Sequence, residues 1–230
     1  MQDKVNVEDK KWEFNKEVSD CFDDMLSRSI PQYELMRELT FKIGCEYVRT
    51  NTGILDIGCS NGRAIQPFCR QYGDDVDYHL YDVSEPMPKK ARELLGNIDI
   101  RNYDLRNGVD VKNCSLVLSV LTLQFTPIEY RQKIVKSVYD CLNQDGAFIL
   151  VEKVLGNTYE IDETMVNQYY SMKKEHQYTE KQIADKRKSL EGVLVPITAK
   201  WNEELLKEAG FKQVDCFWRC LNFAGWIAIK

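Results

Sequence analysis

Histidine is nearly missing from this chain: among 230 residues only His79 and His176 occur, neither in a recognisable catalytic setting. Eight cysteines are present (Cys21, Cys45, Cys59, Cys69, Cys114, Cys141, Cys216 and Cys220), but none forms a C-x-x-C pair. A structural zinc site needs Cys and His ligands clustered at short spacing, so no metal site is expected. Cysteines scattered through apolar settings read instead as buried thiols in a reducing compartment. No run approaches the ~18 apolar residues that a membrane span requires. The opening residues "MQDKVNVEDKKWEF" are charged and carry no apolar signal region. Basic excess is missing too: the net charge is −5, which argues against a general nucleic-acid surface. The expectation is a soluble, cytoplasmic protein that binds neither membrane nor nucleic acid directly. Internal repeats and low-complexity tracts are also lacking.

What is present is enough apolar sequence, 43% of residues, for one domain with a real core. From about Thr52 to Lys153, apolar runs alternate with amphipathic stretches. "GILDIG", "VDYHLYDVS", "IDIRNYD", "CSLVLSVLTLQF" and "AFILVEKV" read as strands. "RAIQPFCRQY", "EPMPKKARELLG" and "PIEYRQKIVKSVYDCLNQDG" read as helices, the last opening on proline and closing on glycine. Alternating strand and helix implies an α/β fold with a doubly wound, largely parallel sheet. Residues 1–50 read as a helical arm broken at "SRSIPQY", and 51–153 as the core. Residues 154–198 are polar, helical and too long for a simple connection, and read as an inserted lid. Residues 199–230 give a helix ending at Gly210 and a terminal hairpin.

The chemistry concentrates at "ILDIGCSNGR", residues 54–63. A strand, a tight glycine turn and a helix place backbone N–H groups at the carboxyl edge of the sheet, and Gly58 and Gly62 let backbone approach a ligand closely. Asp82 ends the second strand, where a carboxylate can accept from both hydroxyls of a ribose. Asp104 ends the third, where it can accept from an adenine amino group. Alone, either acid is more often a strand-end or helix-capping carboxylate. At successive strand ends of one sheet they describe a nucleoside site. The turn lacks the middle glycine of G-x-G-x-x-G, which leaves less room for a pyrophosphate. It resembles the class I S-adenosylmethionine-dependent methyltransferase motif over roughly residues 45–155 and 200–230. That resemblance implies a seven-stranded Rossmann-like sheet with an antiparallel C-terminal hairpin.

Segments outside the turn carry a narrower resemblance. "FDDMLSRSIPQY" (22–33), "LTLQF" (121–125), "EKV" after the fifth strand, "YTEKQIADKRKSLEGVL" (178–194) and "WRCLNFAGWIAIK" at the end are similar to the carboxy-S-adenosylmethionine synthases. The family implies a homodimeric transferase that carboxylates the methyl group of S-adenosylmethionine. Prephenate gives up its carboxyl group and leaves as phenylpyruvate. The product, carboxy-S-adenosylmethionine, serves a separate enzyme as a carboxymethyl donor, for example in modifying a tRNA wobble uridine. A sulfonium acidifies its methyl group, and an ylide formed beside the departing carbon dioxide captures it, so the protein's task is to position the partners and exclude water.

The same resemblance assigns residues. Tyr33, Gly58, Cys59, Ser60, Asp82, Val83, Asp104 and Leu105 match positions that contact S-adenosylmethionine. Arg187, in "ADKRKSLEG", matches an arginine that binds the added carboxylate, a task suited to a guanidinium's paired donors. On composition alone, "KRK" on a helix is a solvated face. Cys59 reads as a packing residue rather than a nucleophile. Val120 departs from the pattern, standing where the family has asparagine, and it cannot make that side-chain hydrogen bond. Ser119, a water or a changed pose of the nucleoside compensates, or specificity has drifted toward a specialised pathway. The alternative to a synthase is a methyltransferase acting on a small molecule or tRNA.

Overall fold

A computed structural model describes residues 11–96 and 98–230; the first ten residues, on which much of the reading of the charged N-terminus rests, lie outside it. The apolar runs become strands in the expected sequence. They are β1 (Gly53–Ile57), β2 (Asp77–Asp82), β3 (Ile100–Asn102), β4 (Cys114–Val120), β5 (Leu142–Leu155), β6 (Ile197–Thr198), β7 (Gln213–Cys220) and β8 (Phe223–Ile229). The amphipathic stretches become α1 (Lys16–Ser29), α2 (Tyr33–Cys45), α3 (Gln66–Tyr72), α4 (Pro86–Leu95), α5 (Ile128–Cys141), α6 (Tyr159–Glu175), α7 (Glu180–Leu190) and α8 (Ala199–Ala209).

The sheet runs β3-β2-β1-β4-β5-β8-β7. The first five are parallel, and β8 lies antiparallel between β5 and β7. Every residue of β1 is buried, as are the first six of β4, because helices cover both faces of a parallel sheet. On one face Leu55, Val117, Phe148 and Trp226 meet Ile134 and Val138 of α5 and Leu206 of α8. On the other, Ile54, Leu116, Leu118 and Val151 meet Met36 of α2, Phe68 of α3 and Tyr169 of α6. Strand order reverses between β1 and β4, so their carboxyl ends part and leave a crevice.

Two expectations shift. The sheet gains an eighth strand: β6 is two residues long and pairs with Val154 and Leu155 of β5. And α5 stops at Cys141 instead of running to the glycine, so β5 begins at Leu142 rather than Ala147. Leu142 is extended and buried, and it pairs with Cys114, so core packing takes it into the sheet. The break in the N-terminal arm falls where expected, with Gln32 left-handed at φ 51° ahead of α2. The lid is helical as expected. Thr179 closes a reciprocal cap at the start of α7 with Gln182, and the Trp12 amide donates to the Ser189 carbonyl at 2.9 Å, tying the N-terminal segment to the lid.

Candidate active site

A cavity of about 570 Å³ occupies the crevice, within the usual range for a small-ligand site. Its base is the turn after β1 and its walls are the ends of β2 and β4. Trp12, Phe14, Phe22, Met25, Phe125 and Leu190 form an apolar side. The structure brings Tyr33, Gly58, Cys59, Ser60, Asp82, Val83, Asp104, Leu105 and Val120 together in this lining.

The turn works differently from the amide cradle the sequence suggested. Gly58 and Cys59 donate their N–H groups to the Tyr81 carbonyl at 2.8 and 2.9 Å, and Gly62 donates to Cys59 at 2.8 Å. The Ser60 amide donates to Asp82 Oδ2 at 2.8 Å. With these donors spent internally, the turn is a poor holder of phosphate. Gly58 is left-handed at φ +77°, and a Cβ there would lie 2.2 Å from Thr122 Cγ2. Close approach to the β4 loop, more than to a ligand, makes glycine necessary at this position. Ser60 holds φ 51° without being glycine, and its buried hydroxyl has no partner among the described residues.

Asp82 spans the turn, for its other oxygen accepts from the Ser84 amide at 2.8 Å. Burial raises its pKa, and the two amide hydrogen bonds oppose that. It lines the cavity beside Val83, which is 62% exposed. Asp104 is a partial correction: β3 ends at Asn102. Asp104 caps the turn that follows, and it is gripped by the Arg106 guanidinium at 2.8 Å (Nε) and 2.5 Å (Nη2). An adenine amino group there must compete with that pair. Tyr33 opens α2 with its hydroxyl buried, its pKa pushed up to about 12, mainly by desolvation. Cys59 is 3% exposed, and burial pushes its thiol far above the ordinary range, which leaves no nucleophile at pH 7. Ser119 is fully buried and absent from the cavity lining, so it does not replace the hydrogen bond that Val120 cannot make.

Arg187 is not part of this lining in its own protomer, although its charge reaches Lys153 within it. It is exposed on α7 and lines a separate groove, beside Asn167, Tyr170, Lys174 and Glu180. Helical period is the reason: Lys186 and Leu190 face the cavity, and the next residue along an α-helix from Lys186 is turned about 100° away.

Three cavity residues escaped the sequence reading. Asp56, at the penultimate position of β1, is 1% exposed, and its Oδ2 has no hydrogen-bond partner. Desolvation, with the charge of Asp82 added, lifts its pKa to about 8. The signal was a carboxylate inside a wholly apolar strand. Lys153, near the end of β5, and Tyr169, midway along α6, also line the cavity. An orphaned acid and an orphaned serine hydroxyl at the turn suit the ammonium and sulfonium of S-adenosylmethionine, so the residues present fit that nucleoside. Neither histidine lines the cavity.

Asp56 gives the site a pH signature. Near pH 7 its folded-state carboxyl is largely protonated, and a bound cation lowers its pKa, so binding releases a proton. Affinity for S-adenosylmethionine is expected to rise from pH 6 to about pH 8, with calorimetric enthalpies that differ between phosphate and Tris buffers. Asp56→Asn is expected to flatten both. Buffer-independent enthalpies in the unaltered protein at pH 7 would count against this ionisation.

Sheet order, glycine turn and strand-end acids define a class I methyltransferase fold. A family described as a methyltransferase domain matches residues 54–146. Among solved structures, an S-adenosylmethionine-dependent methyltransferase from Archaeoglobus fulgidus superposes with TM-score 0.61 at 14% identity, covering 91% of this chain and 99% of that one. Human N-acetylserotonin methyltransferase, solved with S-adenosylmethionine, gives TM-score 0.57 at 14% identity and covers 93% of this chain, which spans 55% of the human one. At that identity the likeness is of fold. Sequence relatives go further. The carboxy-S-adenosyl-L-methionine synthase of Methylococcus capsulatus is 37% identical over 94% of this chain and 93% of its own. The protein of the same name from Wolinella succinogenes is 37% identical over 100% of this chain and 99% of its own. The chain belongs to the carboxy-S-adenosyl-L-methionine synthase family.

Proposed function

We propose that this protein converts S-adenosylmethionine and prephenate to carboxy-S-adenosylmethionine and phenylpyruvate. The observation that carries this is full-length similarity to synthases of that name, which takes in the arm and lid as well as the nucleoside core. In the reaction, prephenate loses carbon dioxide and hydroxide, hydroxide takes a proton from the sulfonium methyl group, and the resulting carbanion adds to the carbon dioxide. Water is the third product.

The chain's own residues supply place rather than acid–base groups. Gly58, Cys59 and Ser60 meet the amino-acid part of the nucleoside. Asp82 and Val83 hold the ribose, and Tyr33, Asp104, Leu105 and Val120 complete the nucleoside pocket. Trp12, Phe14 and Phe125 keep water out, so that carbon dioxide meets the carbanion before it diffuses away.

Arg187 binds the new carboxylate from a partner protomer in a homodimer. Its exposure on α7 and its lack of any hydrogen bond or ion pair among the described residues support this arrangement. The protein works in the cytoplasm and hands its product to an enzyme that carboxymethylates tRNA wobble uridine or a specialised nucleotide. It does not itself bind nucleic acid. The second reading, a small-molecule or tRNA methyltransferase, draws on Val120 and on the absence of Arg187 from the cavity lining of its own protomer.

Denaturing the purified protein and weighing the released nucleoside separates the two readings. A species heavier than S-adenosylmethionine by one carboxyl group is expected. Plain S-adenosylmethionine or S-adenosylhomocysteine alone, even after incubation with prephenate, contradicts the synthase reading.

A further inference from the structure

Lys153 sits where no structural role accounts for it. It follows Glu152 near the end of β5, and its amide donates to Gln124 Oε1 at 2.7 Å, which fixes the backbone. The side chain emerges on the same face as Val151, two residues earlier, and Val151 pairs with Val120 of β4. It therefore enters the cavity on the side of Val120, with Phe223 opposite it on β8 and Tyr169 beside it; Tyr33 lines the same cavity. The ammonium nitrogen stands 5.1 Å from the centroid of the Tyr169 ring. No carboxylate lies within ion-pairing distance of it, and it makes no hydrogen bond, among the described residues. A lysine ammonium in such a place is costly unless an anion joins it.

We propose that Lys153 is a carboxylate-binding residue of this cavity, holding the anionic group beside the sulfonium. The inference rests on the synthase reading and deepens it. Arg187 lies outside the cavity of its own protomer, whereas Lys153 lies inside. Two carboxylates qualify, that of the carboxylated nucleoside and that of the keto acid released from the donor. Both offer oxygens to a desolvated ammonium, which makes charge-assisted hydrogen bonds.

Desolvation lowers the pKa of Lys153 to about 8; the charge of Arg187 on α7 lowers it further, while Asp162 on α6 raises it. Tyr169 of α6 is pushed well above the ordinary tyrosine range, and Tyr33 of α2 reaches about 12. Lys186 of α7 lines the same cavity, as do Asp56 and Asp82 at its base. Asp56 titrates in the same region as Lys153, so an isosteric comparison is needed to separate them.

The test measures binding of three ligands by calorimetry: S-adenosylmethionine, its carboxymethyl-sulfonium counterpart and phenylpyruvate. The proteins are the unaltered chain, Lys153→Met and Lys153→Arg. The unaltered chain is expected to hold the carboxylated nucleoside or phenylpyruvate tightly near pH 7 and roughly tenfold to a hundredfold less well near pH 9.5. Lys153→Met is expected to lose a similar factor at pH 7 while keeping its affinity for S-adenosylmethionine. Lys153→Arg is expected to bind the anion with much less weakening at high pH, since a guanidinium stays charged.

A loss confined to the nucleoside assigns its carboxylate to Lys153, and a loss confined to phenylpyruvate assigns that of the keto acid. Unchanged affinities for both anions in Lys153→Met overturn the inference. So does a pH profile identical in the unaltered chain and Lys153→Arg, which stands even if the methionine variant folds poorly. If the unaltered protein makes carboxylated product and Lys153→Met makes it equally well, only this inference fails. If the unaltered protein makes none, the synthase reading fails, and the anion affinities still decide the role of Lys153.

Discussion

Asp82→Ala is expected to weaken S-adenosylmethionine binding by roughly a hundredfold or more, from the sum of two effects of about 1–3 kcal/mol each. The first is loss of a carboxylate acceptor from the cavity lining, the one proposed to hold the ribose. The second is internal. Asp82 accepts from the amides of Ser60 and Ser84 at 2.8 Å each, and without it both N–H groups need new partners. Ser60 sits at φ 51°, a backbone state that persists only where neighbours impose it. Its release moves the Gly58–Gly62 turn that forms the floor of the cavity. Asp82→Asn keeps one acceptor oxygen but turns an amino group toward one of the amides, so an intermediate loss is expected. Isothermal titration calorimetry measures both variants. An alanine variant within threefold of the unaltered protein would show that Asp82 neither holds the turn nor touches the ribose.

Arg131→Met is expected to be the most destabilising of the substitutions considered, by roughly 3–5 kcal/mol. Arg131 is 2% exposed. Its guanidinium donates to the carbonyls of Thr126 at 2.9 Å, Gln124 at 3.3 Å and Val195 at 2.7 Å. It thereby fastens the loop after β4 to the chain entering β6. From the other side, Glu152 accepts from the Leu123 amide at 2.9 Å. Burial lifts the Glu152 carboxyl to about 8, with the charge of Arg131 holding it down.

The sign of the pH effect follows from that pair. A carboxyl whose folded pKa exceeds its unfolded value loses stability as pH rises between the two values. Removing Arg131 lifts the folded value further, so the penalty of Arg131→Met grows from pH 6 to pH 9. For a chain of this size the melting temperature is expected to fall by roughly 6–20 °C. A fall under 2 °C, or a penalty that shrinks with pH, would mean that the clamp is not closed in solution.

The sequence was most informative where periodicity and punctuation reinforce each other. The run Ile54–Ile57 before a glycine, the acid closing β2, and the glycine stopping α8 at Ala209 each specify local structure, and their alternation specifies the sheet. The boundary at Leu142 was hidden because its tertiary pairing with Cys114 decides it. Helix punctuation at Gly146 pointed elsewhere. The glycine turn was legible as a turn but not as one that spends its own amides, since the acceptors, Tyr81 and Asp82, lie on another strand. Asp56 was visible as a carboxylate in an apolar strand. Lys153 stood in a matched segment, yet only the sheet register aims it past Val120 into the cavity. Arg187 was found by resemblance alone, and the helical phase of α7 then separates it from that cavity.

The proposed function turns on one step, in which a carboxyl group leaves prephenate and joins the sulfonium carbon inside this cavity. Incubating the protein with S-adenosylmethionine and prephenate that bears heavy carbon only in its ring carboxyl group, then recording the mass of the nucleoside, tests it most directly. The expected result is a nucleoside heavier by one labelled carboxyl group, formed in step with phenylpyruvate and undiluted by excess unlabelled bicarbonate. Phenylpyruvate without label in the nucleoside, or a nucleoside that gains no carboxyl group, would contradict it.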